Sequence, residues 1–220
     1  MTDGANTSGT DVNEIQPAHY DLTLARLKPR TVPAALERMN AWLKGDQGGG
    51  ALLACLFSEL GIVNQVLLLR RFNDIDALLD ARQRTVHSTD PLGIGEFAVD
   101  LVMNIGVAMP ATASTPAAAK GPFFEVRTDV PRPGSIARAF HLWQAVCSRA
   151  DGPRPCFGAY SIAGDSQNLV HIWPWSTLDE RAQVADDTSP TNIWHMADPD
   201  DAPLSQRCDI FRAASFSPMQ

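Results

Sequence analysis

The chain has 220 residues, 45% apolar and 20% charged, a composition that supports one large domain or two ordinary ones around a buried core. Eighteen Lys and Arg against 25 Asp and Glu leave a net charge of −7, which excludes the basic face a nucleic-acid partner requires. No apolar run approaches the roughly 18 residues of a spanning helix, and the opening Met-Thr-Asp-Gly-Ala-Asn has neither the basic nor the apolar region of a secretory signal. The expectation is a cytoplasmic protein with no membrane or nucleic-acid partner.

Residues 1–17 are rich in Thr, Asp, Asn and Gly without periodicity, and are expected to form a disordered leader. A first unit is expected over 18–107. It opens with a strand, Tyr20–Leu24, that runs into Lys28-Pro29. Thr31 is placed to cap a helix whose stripe, Val32, Leu36, Met39 and Leu43, steps by three and four residues and so lies on one face. Two apolar segments, Leu52–Leu60 and Val63–Arg71, flank Gly61 as in a hairpin. A second helix is expected from Asn73, with Asp76 three residues on, and a last strand over Glu96–Ala108. Residues 108–121, an Ala/Pro/Ser/Thr stretch, have the composition of a linker.

A second unit over 122–220 repeats the pattern. Its strand Phe124–Thr128 leads to Arg132-Pro133, offset by 104 from Tyr20 and Lys28. Ser135 then caps a helix with the stripe Ile136, Phe140, Trp143 and Cys147. Cys156–Ala163 and Asn168–Trp175 meet at Gly164-Asp165, a helix starts at Ser176 with Asp179 following, and Arg207–Ala213 closes the unit. The order βαββαβ in each half is the ferredoxin-like unit. Such a sheet has helices on one face only, and an open apolar face must be covered. The fold class is therefore α+β: two ferredoxin-like units packed sheet to sheet as a pseudo-dimeric α+β barrel. Cys55, Cys147, Cys156 and Cys208 include no Cys-x-x-Cys pair, which fits reduced, buried thiols rather than zinc ligands.

Certain residues carry a family resemblance. Phe-Glu-Val-Arg-Thr-x-x-x-Arg-Pro-Gly at 124–134 resembles the opening of a NIPSNAP domain. Asn64-Gln-Val-Leu and Leu169-Val-His-Ile-Trp-Pro-Trp-Ser-Thr-Leu178 resemble its central strand and helix start, and Phe216-Ser-Pro is similar to its end. The resemblance covers both halves and is better in the second, because Leu68 and Arg70 stand where the second half has His171 and Trp173. It implies the dimeric α+β barrel, here as a tandem chain that is either a monomeric pseudo-dimer or a further homodimer. It also implies a superfamily of cofactor-independent monooxygenases, polyketide cyclases and lactone isomerases. Some relatives in that superfamily bind heme through a His, for which His171 is the interior candidate.

Strand alternation sorts the candidate site. Glu125 and Arg127 share one face, as do His171, Trp173 and Trp175, and the apolar alternates are expected under the helices. This places Glu125, Arg127, His171 and Trp173 inside the barrel, joined by Tyr160 and by Asp21, Arg70 and Phe72 from the first half. His171 is then a general acid or base, Glu125 orients it, and Arg127 holds an oxyanion. Trp173, Trp175, Tyr160, Phe72, Arg70 and Asp21 bind a hydrophobic aromatic or polycyclic molecule. No cofactor and no metal are expected. The competing reading is a buried Glu125–Arg127 ion pair that fixes the register of the two halves, in a non-catalytic interaction protein whose barrel is plugged. Trp194-His195, in a Pro/Asp-rich stretch, is expected in a surface loop. Gly45-Asp-Gln-Gly-Gly-Gly50 lacks the Lys-Ser/Thr of a phosphate loop, Gly93-Ile-Gly95 lacks a dinucleotide context, and no Gly-x-Ser-x-Gly elbow occurs.

Overall fold

The computed structural model describes residues 18–45, 48–109, 121–148, 153–163, 167–186 and 202–220. The expected leader, Gly164-Asp165, Trp194-His195 and most of the 108–121 stretch lie outside these. Each half has the expected βαββαβ order. The first comprises β1 (His19–Leu27), α1 (Val32–Lys44), β2 (Ala51–Leu60), β3 (Gln65–Phe72), α2 (Ile75–His87), a short 3₁₀ turn at Pro91–Gly93 and β4 (Ala98–Ala108). The second comprises β5 (Phe123–Val130), α3 (Ile136–Cys147), β6 (Phe157–Ala163), β7 (Leu169–Trp175), α4 (Leu178–Asp186) and β8 (Ser205–Ala213).

The repeat extends to backbone detail. Before α1 the Thr31 hydroxyl donates to the Lys28 carbonyl at 2.7 Å, and before α3 the Ser135 hydroxyl donates to the Arg132 carbonyl at 2.8 Å. Neither side chain takes the cap bond expected of it. Both tie the preceding Pro turn, where Arg30 and Gly134 occupy the same left-handed position with φ of 66° and 83°. The second helices are capped one residue later than expected. Asp74 caps α2 by accepting from the Asp76 N–H at 3.1 Å. At α4 the Thr177 hydroxyl accepts from the Glu180 N–H while the Glu180 carboxylate accepts from the Ser176 N–H, both at 3.0 Å, a variant of the capping box whose return bond falls one residue before the cap.

All eight strands close one antiparallel barrel in the order β1-β3-β2-β8-β5-β7-β6-β4. The two seams are β2–β8 and β4–β6, so the free edge strands of each unit pair with those of the other and no edge remains. Gly106 sits at the β4–β6 seam because an added Cβ would meet Leu22 and Ala159 at 3.0–3.1 Å.

The lumen is apolar. Leu22, Ala54, Leu56, Leu67, Leu69, Phe124, Phe157, Ala159, Ile172 and Phe211, drawn from both halves, form one buried cluster. An eight-stranded barrel is just wide enough inside for such side chains to fill. Three further clusters lie outside the barrel, between sheet and helices. One is built on Ala35 and Met39 of α1 with Cys55, Val66 and Leu68. The second is built on Trp143 of α3 with Leu169, Trp173 and Trp175, and the third on Leu78 and Ala81 of α2 with Phe72 and Ile105.

Candidate functional site

The face assignment is the reverse of the one expected. Phe124, Val126, Val170 and Ile172 point into the lumen, while Glu125, Arg127, His171, Trp173 and Trp175 point outward, under α3 and α4. The reason lies in closure. A closed lumen is the driest place in the molecule, so the strands turn their apolar alternates inward. The charged alternates face a helix layer that brings them partners. Tyr160 also lies on the helix side, with its ring 5.0 Å from Phe140 of α3. Phe72 packs with Leu78 and Ala81 of α2 in the first unit, so it does not join Trp173 and Trp175 in a common ligand bed. Asp21 and Arg70 sit under the helices of the first unit.

The polar residues resolve into three groups. In the first unit Asp21 is fully buried. Its Oδ2 accepts from Arg70 Nε and Nη2 at 3.2 and 2.7 Å, and its Oδ1 from Arg82 Nε and Nη2 at 3.1 and 2.9 Å. The Arg70 guanidinium lies 5.4 Å from the ring centroids of both Trp42 and Phe72, and Nη1 donates to the Gly48 carbonyl. In the second unit Glu125 occupies the position of Asp21. It is fully enclosed and accepts from Arg127 Nε (2.8 Å), Trp175 Nε1 (2.9 Å), the Cys208 thiol (2.8 Å) and Arg181 Nη2 (3.2 Å). Burial pushes the Glu125 carboxyl up. The hydrogen bonds from Cys208 and Arg127, the Arg127 charge and the Arg181 hydrogen bond outweigh it and hold the group below the usual carboxylate range. In each unit a carboxylate of the first strand is thus clamped by an Arg from the second helix, Arg82 or Arg181. The Glu125–Arg127 pair is buried, but it anchors α4 to its own sheet and does not set the register between halves.

The third group has no counterpart in the first unit. His171 Nε2 lies 3.0 Å from Asp129 Oδ2, and Trp173 Nε1 donates to His171 Nδ1 at 2.5 Å. Indole N–H is only a donor, so Nδ1 must accept and Nε2 carries the proton given to Asp129. The Trp143 ring of α3 covers this chain, 5.0 Å from the imidazole centroid. Both nitrogens of His171 are engaged, so it does not fit the axial position of a heme. Glu125 does not orient it; Asp129 does.

Asp129 shares a strand face with Glu125 and Arg127 and was legible by alternation, but its partner, arriving from β7, was not. Its second oxygen, Oδ1, is buried and has no partner among the described residues, and the same holds for Trp143 Nε1. Asp129 lines a cavity of about 30 Å³ with Pro131, Ser135, Ala139, Leu142, Leu169 and Pro203, room for roughly one water. Among the described residues no group of three or more His, Cys, Asp or Glu side chains is placed to hold a metal, and no helix is long and apolar enough to cross a membrane.

Two ferredoxin-like units related by pseudo-twofold symmetry and sharing one closed sheet define the dimeric α+β barrel class. The fold is similar to that of an anthrone oxidase-like protein (TM-score 0.64, 8% identity, 91% of this chain and 92% of that one). It is also similar to that of a proposed monooxygenase from Fusobacterium nucleatum (TM-score 0.60, 9% identity, 90% and 92%). In sequence the chain is similar to the NipSnap homolog of Dictyostelium discoideum, 22% identical over 177 residues that span 80% of this chain and 77% of that protein. The NIPSNAP resemblance therefore extends over most of the chain. No family model matches it.

Proposed function

We propose that this protein binds a small hydrophobic aromatic molecule between α3 and the sheet of the second unit, and acts on it by proton transfer without a cofactor. The observation that carries this reading is the Asp129–His171–Trp173 chain, which ends in a buried, unpartnered carboxylate oxygen at a cavity. Asp129 Oδ1 is the base. His171 donates to the other oxygen and holds the carboxylate in place, and Trp173 sets the His171 tautomer, so these two are positioning residues. The Trp143 indole N–H offers a donor to an oxygen of the ligand. The cavity holds about one water, so α3 lifts as a lid. Trp143 is the one buried residue of α3, so that motion chiefly exposes its indole ring. Fold neighbours described as anthrone oxidase-like and as a proposed monooxygenase support an oxidase-type reaction on a flat aromatic substrate.

Anthrone is the first probe. Saturable quenching of tryptophan fluorescence, with Trp143 and Trp173 at the site, and consumption of anthrone in air are expected. Asp129→Asn should keep the far-UV spectrum and lose about 10²–10⁴-fold in rate, the usual worth of a general base. The filled lumen favours a second reading, a non-catalytic interaction protein. Neither quenching nor turnover with anthrone and related polyphenols would establish that reading instead.

A further inference from the structure

The two ends of the lumen are unlike. At one end Arg207, Asp209 and Gln65 satisfy one another. Arg207 Nε donates to Asp209 Oδ2 at 2.5 Å and Nη2 to Gln65 Oε1 at 2.9 Å. Asp209 Oδ1 also accepts from the Ile62 N–H at 3.0 Å. At the other end stands Arg71, paired across the sheet with Tyr20 of β1 and Ala51 of β2. Directly opposed residues share a face, and Tyr20 belongs to the lumen cluster, so Arg71 also faces the lumen mouth. Among the described residues its Nε is buried without a hydrogen-bond partner, and no acidic group forms an ion pair with it. Tyr20 is adjacent: burial pushes its phenol up, and the Arg71 charge pulls it the other way. One register step below lie Leu69 and Leu22. The second unit carries Phe124 and Pro174 where the first has Tyr20 and Arg71, so the mouth has one cationic wall and one apolar wall.

The side chain that fills this end comes from no strand. Met219, in the segment after β8, is fully buried in the lumen cluster, with Sδ 4.0 Å from Cys156 Sγ. The segment is held by several bonds: the Ala214 N–H donates to the Cys55 carbonyl and the Ser217 N–H to the Ala214 carbonyl, both at 2.9 Å, and Gln220 Nε2 donates to the Ser217 carbonyl at 2.8 Å. The Ser217 hydroxyl accepts from the Cys55 N–H at 3.1 Å, and the Gln220 carbonyl accepts from the Gly121 N–H at 3.1 Å. An unbranched thioether, flexible and apolar, thus belongs to the same lumen cluster as Tyr20, the strand partner of Arg71.

We infer that the Arg71 end of the barrel is a second ligand site, for an aliphatic carboxylate with a short unbranched tail, the tail replacing the Met219 side chain and the carboxylate pairing with Arg71. A guanidinium held in an apolar mouth gains most from a planar anion that takes its donors in parallel. The space freed by one Met side chain sets the tail at a few carbons. The site is separate from the α3 cleft and does not depend on the function proposed for that cleft.

Hexanoate, with 1-hexanol as the uncharged control, tests it by calorimetric titration of the full chain. Wild type should bind hexanoate at one site and hexanol at least tenfold more weakly. Arg71→Leu should weaken hexanoate at least tenfold, and Arg71→Lys should retain part of the affinity. Met219→Ala, which removes the competing side chain, should bind hexanoate tighter than wild type, and Asp129→Asn should bind it unchanged. Equal binding of hexanoate by wild type and a folded Arg71→Leu would overturn the proposal, as would no binding by both wild type and Met219→Ala.

Discussion

Glu125 meets four donors from four elements, β5, β7, α4 and β8, and its own face of β5 continues through Arg127 to Asp129. Removing its charge leaves Arg127 and Arg181 facing a buried neutral group. Glu125→Gln is expected to cost about 3–5 kcal/mol at neutral pH, as for other broken buried pairs, measured by urea unfolding. The folded carboxyl titrates below the usual range, so its contribution is complete above the unfolded value of about 4.3. It is lost as pH falls through that value toward the lower folded one. The gap between wild type and Glu125→Gln should therefore narrow as pH falls below about 4.3. The thiols report on the same environment. Burial alone pushes Cys55 up to about 12. Cys208 reaches about 11 through burial first and then through its bond to the Glu125 carboxylate. Thiolate is the reactive form, so a disulfide reagent at pH 8 should modify the native protein slowly. Cys208 should react faster in Glu125→Gln.

At the level of elements, each hairpin and helix start depends on one or two residues whose reason is local. Gly61 turns β2 into β3 with a φ of 98°, and a Cβ there would collide with the Asp209 carboxylate. That carboxylate comes from β8, so the turn of the first unit is held by a strand of the second. Gly61→Ala combines a left-handed backbone with a steric clash and is expected to destabilise by about 1–3 kcal/mol. Asp209→Ala should cost about 1–3 kcal/mol, since it leaves the Ile62 N–H and Arg207 Nε without their acceptor. Both changes should lower the urea midpoint without altering the far-UV spectrum. Thr177→Ala should cost about 0.5–2 kcal/mol by removing the cap of α4, and it should also loosen Arg181 from Glu125. Loss of anthrone binding on Thr177→Ala would place the ligand under α4 rather than α3.

Across the whole molecule, stability rests on two seams, β2–β8 and β4–β6, and on a lumen to which both units contribute. Neither half can bury its lumen face alone, so a single unfolding transition is expected by circular dichroism and by tryptophan fluorescence alike. A protease site placed within residues 110–120 offers a direct check. After cleavage the two pieces should co-elute as one species, because the seams and the lumen, not the connection, hold the barrel closed. Separation into two folded halves would show that each unit is stable with an open sheet.

The sequence by itself determined the order of elements, the internal repeat and the two faces of every strand. Tyr20–Leu24 and Phe124–Thr128 alternate visibly, the hairpin glycine at 61 is explicit, and the helix stripes through Met39 and Trp143 are the ones buried. Alternation divides a strand into two faces but does not say which is inside, because both faces of a helix-covered barrel strand are buried. Only closure decided that, by making the lumen the driest surface and leaving the charged face to helices. The partners that satisfy that face, Arg82 and Arg181, lie 61 residues from Asp21 and 56 from Glu125 along the chain. The same distance in sequence hid the Asp129–His171 contact, 42 residues apart, and the place of Arg71 at the lumen mouth. Each of these follows from which strands the barrel sets side by side, and no local pattern carries that information.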